Sequence, residues 1–281
     1  MTPRPPHPLL DVPADQAPTA VLDFETTGLS AASGDRICEV AIVRGVPGGK
    51  PKKKKFQSLV QPGVTMPKIA LGIHGIDDTM LAGAPSFADV LPEIARYLEG
   101  AVLVAHSASF DIGFLRAECY RADLPVPAVG PVVCTLQLAR NYYGFSRCSL
   151  QALAQRMGIV QSSAHRALND AQVTFKVYQR MLKGLNLKEM PTVGDLLDTV
   201  DALQKDGDGR QQIIAAILQA EGAHTPIVID YTSRNGSGPL TSRRAITVHE
   251  TNLPYISAWC HLRGEERVFH IRRIQRVIQS P

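Results

Sequence analysis

Apolar positions cluster early in the chain and predict three strands that form part of one sheet. Residues 19–24 are an apolar run followed by the turn-rich sequence TTGLS, which is typical of a central strand that ends in a loop. Residues 36–45 and 54–62 have the composition of two further strands, and the Gly- and Lys-rich segment between them predicts a hairpin. The fold is therefore expected to begin with a hairpin sheet.

The pattern then changes to alternating helices and strands. Residues 85–100 place Phe87 and Ile94 at helical spacing and end at Gly100, a residue type that often ends helices. The largely apolar residues 101–107 predict a short strand covered on both faces. Residues 110–122 predict a helix, and residues 131–140 predict a strand that leads into a helix. This order of elements indicates an α/β fold with a mixed sheet.

Two further helices precede a change of composition. Residues 149–159 predict an amphipathic helix, and residues 166–185 predict a second one. The stretch 186–224 is more polar and contains Pro191 and a Gly/Asp cluster, so we expect a helical linker there. Short alternating strands over residues 225–281 predict a small β-rich terminal domain, which leaves residues 19–185 as the main domain.

Composition and charge narrow the class of protein. The chain has 281 residues, 44% of them hydrophobic and 20% charged, which suits a globular protein with a sizeable core. A net charge of +4 permits an anionic partner without requiring one. The 5 cysteines are scattered, so neither a disulfide framework nor a zinc knuckle is favoured, and we expect reduced thiols in a cytoplasmic protein.

The N-terminal segment and the apolar runs bear on targeting. Residues 1–18 are rich in proline and lack the apolar run of a signal peptide, so we expect a flexible tail. Elsewhere, no run approaches the length of about 18 apolar residues that a transmembrane helix needs. We therefore expect no membrane partner, while a homo-oligomer stays open.

Several acidic residues stand where strands are predicted to end. Asp23 and Glu25 are two positions apart, so their carboxylates share one face while Phe24 turns into the core. Asp111 follows the strand of residues 101–107, at a strand-to-helix junction typical of open-sheet active sites. Each acid alone fits a surface position or a helix N-terminus equally well.

A histidine and a fourth acid stand at the start of the last predicted helix of the main domain. His165 precedes Asp170 by five positions, which places the histidine on the entry turn. Converging carboxylates suit hard divalent ions such as Mg²⁺. Two such ions can stabilise both the attacking and the leaving oxygen of a phosphoryl displacement, and histidine can accept a proton near neutral pH.

Three segments resemble the motifs of the DEDDh 3′–5′ exonucleases, the family of the proofreading subunit of bacterial DNA polymerase III. These segments are Asp23-Phe24-Glu25-Thr26-Thr27-Gly28, His106-x-x-x-Phe110-Asp111 and His165-x-x-x-x-Asp170. The resemblance covers residues 19–184 and includes His74-Gly75-Ile76 and Val133-Cys134-Thr135. It implies an RNase H-like fold, in which a mixed sheet is flanked by helices.

The resemblance also implies a role for each motif residue. Two Mg²⁺ or Mn²⁺ ions would be held by Asp23, Glu25, Asp111 and Asp170. His165 would be the general base, and the nucleotide would contact Thr26, Thr27, His106 and Phe110. Many family members carry Asn where this chain has Ser107, so the resemblance assigns no contact to that side chain.

A basic, glycine-containing loop lies between the second and third predicted strands. Residues 52–55 are all lysine and would attract a phosphate backbone, although a solvated loop explains them equally well. The sequence GVPGGKP at residues 45–51 is one residue short of a phosphate-binding loop, and Lys50 is followed by Pro51 instead of Ser or Thr. We therefore reject a nucleoside triphosphatase.

The terminal segment resembles the WYL domain of bacterial regulators, an SH3-like β module that binds nucleic acid or nucleotide ligands. Tyr255 and Ile256 fit its Tyr-Leu positions, whereas Pro254 stands where the family has tryptophan. The phosphate backbone is expected to contact Arg263, Arg267, Arg272 and Arg273, because guanidinium groups match phosphate in bidentate fashion. A basic but solvated sheet face is the alternative.

These motifs together predict a metal-dependent 3′–5′ exonuclease. We expect it to act on 3′ ends of single-stranded DNA, or of RNA, and to release nucleoside 5′-monophosphates. One alternative is a regulatory sensor in which the WYL-like domain binds a nucleic acid or nucleotide. A second is a polymerase-associated proofreading subunit, and a third is a nuclease for short RNA oligonucleotides. Discrimination between DNA and RNA depends on contacts to the 2′-hydroxyl, which the sequence does not reveal.

Overall fold

The computed structural model of the protein describes residues 6–49, 54–161, 165–185, 190–205, 207–235, 238–252 and 255–279. The described residues form two compact units. The first unit comprises Met1–Leu138 and Arg147–Leu197, and the second comprises Ala139–Ser146 and Asp198–Pro281. Each unit has a core and a sheet of its own.

The first unit is built on a mixed sheet of five strands. The strands are β1 (Thr19–Thr26), β2 (Ile37–Gly45), β3 (Lys54–Leu59), β4 (Val102–Ala105) and β5 (Val132–Cys134). They lie in the order β3-β2-β1-β4-β5, with β1, β2 and β3 antiparallel and β4 and β5 parallel to β1. The hairpin strands and the mixed α/β sheet expected from the sequence are confirmed.

Helices connect the strands of this sheet or follow its last strand. They are α1 (Lys68–His74), α2 (Asp78–Leu81), α3 (Phe87–Leu98), α4 (Ala108–Arg121), α5 (Thr135–Gln137), α6 (Leu150–Arg156) and α7 (Ala167–Gly184). Helix α8 (Val193–Lys205) begins in the first unit and continues into the second. A π-helical turn, Leu138–Tyr142, follows α5. Helix α3 begins at Ser86 with a capping box, in which Ser86 and Asp89 satisfy each other's backbone N–H groups.

The alternation of residues along β1 separates the core from the charged face. Leu22 and Phe24 are buried in a cluster with Ile94 of α3 and Phe114 of α4. Because successive side chains of a strand point to opposite faces, Asp23 and Glu25 lie on the other face of the sheet. Helix α7 packs against β1 and β2, and it carries Asp170 in its first turn.

The N-terminal segment and two helices differ from the sequence prediction. Residues 1–18 were expected to form a flexible tail, whereas Ala14 and Ala17 are fully buried. The backbone N–H of Ala14 donates to the carbonyl of Pro191 at 2.9 Å, so residues beyond the first five are fixed by backbone pairing and apolar burial. Helices α1 and α2 were not predicted, because both are short and α1 leaves Ile69 exposed.

The second unit contains an antiparallel sheet of five strands and a helix. The strands are β6 (Pro226–Asn235), β7 (Gly238–Asn252), β8 (Tyr255–Cys260), β9 (Glu265–His270) and β10 (Ile274–Gln279), in the order β10-β6-β7-β8-β9. Helix α9 (Gly207–Ala223) buries Ile217 and Ala220 in the same core as Ile229 and Phe269. A β-rich terminal domain is thus confirmed, and part of the predicted linker packs on it. Among the described residues, no helix has the length and apolar character needed to cross a membrane.

Candidate active site

The end of β1 brings two acids against the first turn of α7. One carboxylate oxygen each from Asp23, Glu25 and Asp170 forms a group whose members all lie within 4.8 Å of one another. Glu25 and Asp170 are buried, and Asp23 is half-buried. Three of the four predicted acids are therefore brought together by one strand and one helix.

The fourth predicted acid, Asp111, reaches the same region from α4. Strand β4 ends at Ala105, and Ser107 adopts a left-handed conformation with φ of 70° before α4 begins. This turn places Asp111 in the first turn of the helix, where it is buried. Its charge raises the pKa of Asp23, so the two carboxyl groups lie near each other. Asp111 is not one of the three acids whose oxygens lie within 4.8 Å of one another.

Burial and mutual repulsion act on the acids in the same direction. Burial raises the pKa of Asp23 well above its ordinary value, and the charges of Asp111 and Glu25 raise it further. Burial, then the charges of Asp170 and Glu39, raise the pKa of Glu25 to about 8. Burial also raises the pKa values of Asp111 and Asp170. Such a cluster requires protons or cations to offset its charge.

His165 lies at the edge of the acid cluster, immediately before α7. Its side chain is exposed and its backbone is left-handed, with φ of 61°. The backbone N–H of His165 donates to Oδ2 of Asp170 at 2.9 Å, and Nε2 of Gln161 donates to Oδ1 at 2.8 Å. Gln161 and His165 therefore both bond to Asp170, and His165 is held beside one of the clustered acids.

The structure adds Glu39, which the sequence did not single out, and shows the surroundings of His74, which the family resemblance includes. Glu39 of β2 lies directly opposite Glu25 in the β1–β2 register, is buried, and pairs with Arg166 at 2.7 Å. His74 is also buried; its Nδ1 accepts the backbone N–H of Ile76 at 3.0 Å, and burial lowers its pKa. The sequence signal that could have identified Glu39 is its position as the single acid within the apolar run of β2.

The predicted nucleotide-contacting residues are held by bonds within the fold. The hydroxyl of Thr26 donates to the carbonyl of Gly28 at 2.6 Å, and the hydroxyl of Thr27 accepts the backbone N–H of Arg36 at 3.0 Å. His106 Nδ1 lies 2.9 Å from the hydroxyl of Thr135. The half-buried ring of Phe110 packs on Phe114 with 4.8 Å between ring centroids. All four residues lie in the first unit.

The predicted basic contacts are divided between the units. Arg263, Arg267 and Arg273 are exposed in the second unit, and Arg267 lies 3.1 Å from Glu265. The side chain of Arg272 is outside the described residues. Of the lysine run, the first two residues, 52 and 53, are also outside them, and the other two, 54 and 55, are exposed in β3.

Comparison with known proteins places both units in families. A model of the exonuclease family, RNase_T, matches residues 20–178, and a model of the WYL domain matches residues 212–279. A protein of Rhodobacter capsulatus named DNA polymerase III subunit epsilon-like protein is 37% identical over 197 residues, which are 68% of this chain. The chain spans only 27% of the length of that relative.

Solved structures share the fold of the first unit. Exonuclease X, in complex with 5′-overhanging duplex DNA, is 27% identical with a TM-score of 0.52, over 65% of this chain and 99% of its own. The nuclease domain of 3′hExo, a DEDDh family member bound to rAMP, shares this fold; its sequence identity to this chain is 19% and the TM-score is 0.55. That likeness covers 61% of this chain and 94% of the other.

Proposed function

The chain belongs to the RNase_T exonuclease family and carries a WYL domain, and from this membership we propose that it is a metal-dependent 3′–5′ exonuclease. The observation that carries the proposal is the close grouping of the carboxylates of Asp23, Glu25 and Asp170. The proposed substrate is single-stranded nucleic acid, and the proposed products are nucleoside 5′-monophosphates. DNA is favoured over RNA, since the Rhodobacter capsulatus relative is named for a DNA polymerase subunit and exonuclease X is bound to DNA.

The donor set fits two divalent cations such as Mg²⁺ or Mn²⁺. Carboxylate oxygens are the ligands that these hard ions prefer, and the proposed ligands are Asp23, Glu25, Asp111 and Asp170. Burial and repulsion hold the carboxyl pKa values high, so bound cations would offset charge that the protein itself leaves uncompensated. Two such ions, when bound, stabilise the attacking and leaving oxygens of a phosphoryl displacement.

His165 is proposed as the general base. Its exposed imidazole can accept the proton of the attacking water, while its backbone is tied to Asp170. Thr26, Thr27, His106 and Phe110 are proposed to line the nucleotide site. Each has a partner within the fold, so their positions are set before substrate binds.

The direct test uses matched DNA and RNA strands labelled at the 5′ end, with Mg²⁺, Mn²⁺ or a chelator. We expect a metal-dependent descending ladder that forms faster on DNA. Asp23→Asn should abolish the ladder, whereas Glu93→Gln, at an exposed acid of α3, should leave it unchanged. Early release of 5′-labelled mononucleotide from full-length strands would contradict the proposed direction. Faster cleavage of short RNA would favour the oligonucleotide alternative.

The WYL match over residues 212–279 favours a second role for the terminal unit. We propose an exonuclease domain over residues 19–185 and a terminal module over residues 225–281. Because Ile217 and Ala220 of α9 are buried with the terminal sheet, the helical segment 186–224 contributes α9 to that module. The module is proposed to bind phosphate backbone through exposed arginines, with ligand sensing as the alternative.

A further inference from the structure

Glu39 is the centre of a hydrogen-bond network that joins β2 to the start of α7. Its carboxylate accepts hydrogen bonds from Nε and Nη2 of Arg166 at 3.2 and 2.7 Å. The backbone N–H of Ala167 donates to the same carboxylate at 3.0 Å, and the side-chain amide of Gln57 donates at 2.8 Å. Because the Glu39 side chain is only 1% exposed, these four bonds replace its contacts with water.

The network keeps Glu39 charged. Burial acts to raise the pKa of its carboxyl group, but the bonds from Arg166, Gln57 and Ala167 outweigh burial and lower the pKa. Glu39 thus differs from Glu25, which lies directly opposite it and has a raised pKa. A charged, fully bonded carboxylate beside the acid cluster is suited to fixing geometry.

Glu39 also caps the N-terminus of α7, where the residue preceding the helix provides no side-chain cap. The residue that precedes the helix, Arg166, is extended, with φ of −138° and ψ of 121°, and makes no side-chain cap bond. The carboxylate of Glu39 instead accepts the N–H of Ala167, the first residue of the helix. A negative charge at a helix N-terminus is favourable, so a neighbouring strand determines where α7 starts.

Two residues of the proposed active site lie close to Arg166 in the sequence: His165 directly precedes it, and Asp170 follows it by four positions. His165 is left-handed with φ of 61°, a conformation that a residue other than glycine keeps only when its surroundings hold it. Asp170 accepts the backbone N–H of His165 at 2.9 Å. Moving Arg166 would therefore displace His165 and the first turn that carries Asp170.

We propose that Glu39 and Arg166 are positioning residues that hold His165 and Asp170 against Glu25. The inference deepens the proposed exonuclease function and rests on it for the nature of the reaction. The planar guanidinium fixes both distance and direction, whereas a lysine ammonium in its place would fix neither. Misplacement of reacting groups by about 1 Å can cost a rate factor of about 100.

Another ion pair of the first unit provides a matched control. Arg36 donates from Nε and Nη2 to the carboxylate of Glu118, each at 2.8 Å, and Glu118 also accepts the backbone N–H of Ile37. The Arg36 and Arg166 side chains are 26% and 37% exposed, and both acids are buried. Arg166→Lys and Arg36→Lys therefore remove the same kind of bidentate bond at unchanged charge. Because the backbone N–H of Arg36 bonds to Thr27 of the proposed nucleotide site, the control is compared on kcat and Mn²⁺ affinity and not on KM.

The test compares the thermal midpoint and kcat of the two lysine variants in the full chain, and measures KM for Arg166→Lys. We expect similar drops in the midpoint, but a kcat loss of about 10- to 100-fold with little change in KM for Arg166→Lys alone. At a saturating Mn²⁺ concentration, which offsets weaker metal binding through Asp170, Arg166→Lys in a His165→Ala background should lower kcat by a much smaller factor, because the misplaced base is already absent. Equal kcat losses in both lysine variants, or losses that multiply fully with His165→Ala, would overturn the inference.

A failure of the exonuclease proposal can be distinguished from a failure of the inference about Glu39 and Arg166. A wild-type protein that releases no nucleotides would overturn the proposed function alone. Mn²⁺ binding would then decide the inference, since Asp170 and Glu25 must converge to bind an ion. We expect Arg166→Lys to weaken Mn²⁺ binding severalfold and Arg36→Lys to leave it unchanged, whereas equal affinities in all three proteins would overturn the inference.

Discussion

The carboxyl group of Glu25 links the candidate metal site to the stability of the fold. Its folded pKa of about 8 lies above the ordinary value of 4.5. Between these values the folded protein binds more protons than the unfolded chain, so stability falls as the pH rises. His74, whose pKa burial lowers, acts in the opposite direction, but only up to its ordinary value of 6.5. The effect of Glu25 should therefore be clearest above that value.

We expect the metal-free protein to lose thermal stability between about pH 6.5 and about pH 8. Mg²⁺ or Mn²⁺ should raise the midpoint more at the upper end of this range, because only deprotonated carboxylates bind the ion. Thermal denaturation with a chelator and with each metal measures both effects. Glu25→Gln removes one titrating group and should make the metal-free slope shallower, while Asp23 and Asp111, whose pKa values are also raised, keep part of it. An equally steep slope in that variant would assign the effect to another group.

For His165 the expected result of substitution is a loss of turnover without a loss of binding. His165→Ala should lower kcat by about 10²- to 10⁴-fold, the usual contribution of a general base. Substrate affinity and the thermal midpoint should change little, because the His165 side chain is exposed. Single-turnover rates and binding isotherms on the same strand separate the two quantities. Full activity at neutral pH would place the base elsewhere.

The junction between β4 and α4 shows a local conflict between sequence and backbone. Ser107 has φ of 70° and ψ of 49°, in the left-handed region that asparagine adopts several times more readily than most residues. Ser107→Asn should therefore raise stability, by about 0.5–1 kcal/mol. Ser107→Val should lower it, because a branched side chain is strained there. Denaturant unfolding of both variants checks the prediction, and a lower stability for Ser107→Asn would contradict it.

Most elements of the first unit could be predicted because their apolar residues follow strand or helix periods. The apolar run of residues 101–107 contains β4, and Phe87 and Ile94 lie on the buried face of α3, as their spacing predicted. Helices α1 and α2 were missed because they are short and α1 exposes Ile69 and Ile73. The fixed path of the N-terminal segment depends on pairing with residues far along the chain, such as Pro191, and no local pattern reveals that pairing.

The residues of the candidate site that lie within the three motifs could be predicted from the sequence. Asp23 and Glu25 share a strand face by simple alternation, whereas the return of His165 to Asp170 required a left-handed residue that spacing alone does not specify. Glu39 and Arg166 are far apart in sequence and meet only through the packing of α7 on β2. Contacts of this kind depend on tertiary structure, so sequence reasoning did not find them.

At the scale of the whole molecule, the second unit carries exposed arginines that have no part in the proposed active site. Arg263, Arg267 and Arg273 are exposed, and only Arg267 has an acidic partner among their described contacts, at 3.1 Å. Arg243 of the same unit differs, since its guanidinium donates to both carboxylate oxygens of Asp230. Arg243→Gln thus changes the charge of the unit without removing an available phosphate contact.

We expect Arg263→Gln, Arg267→Gln and Arg273→Gln, combined in the full chain, to weaken binding of long single strands. Each lost phosphate contact should also reduce the slope of log K against log salt by about 0.7 on single strands. Turnover of a very short oligonucleotide should stay unchanged, because the substituted residues lie outside the unit that carries the acids. Arg243→Gln removes one positive charge, against three in the combined variant, so it controls for the effect of losing a charge that is already paired; it should leave affinity and slope nearly as in the wild type. If the combined variant kept the wild-type affinity and slope, phosphate binding by these arginines would be excluded. Ligand sensing or oligomerisation would then be the better account of the WYL domain.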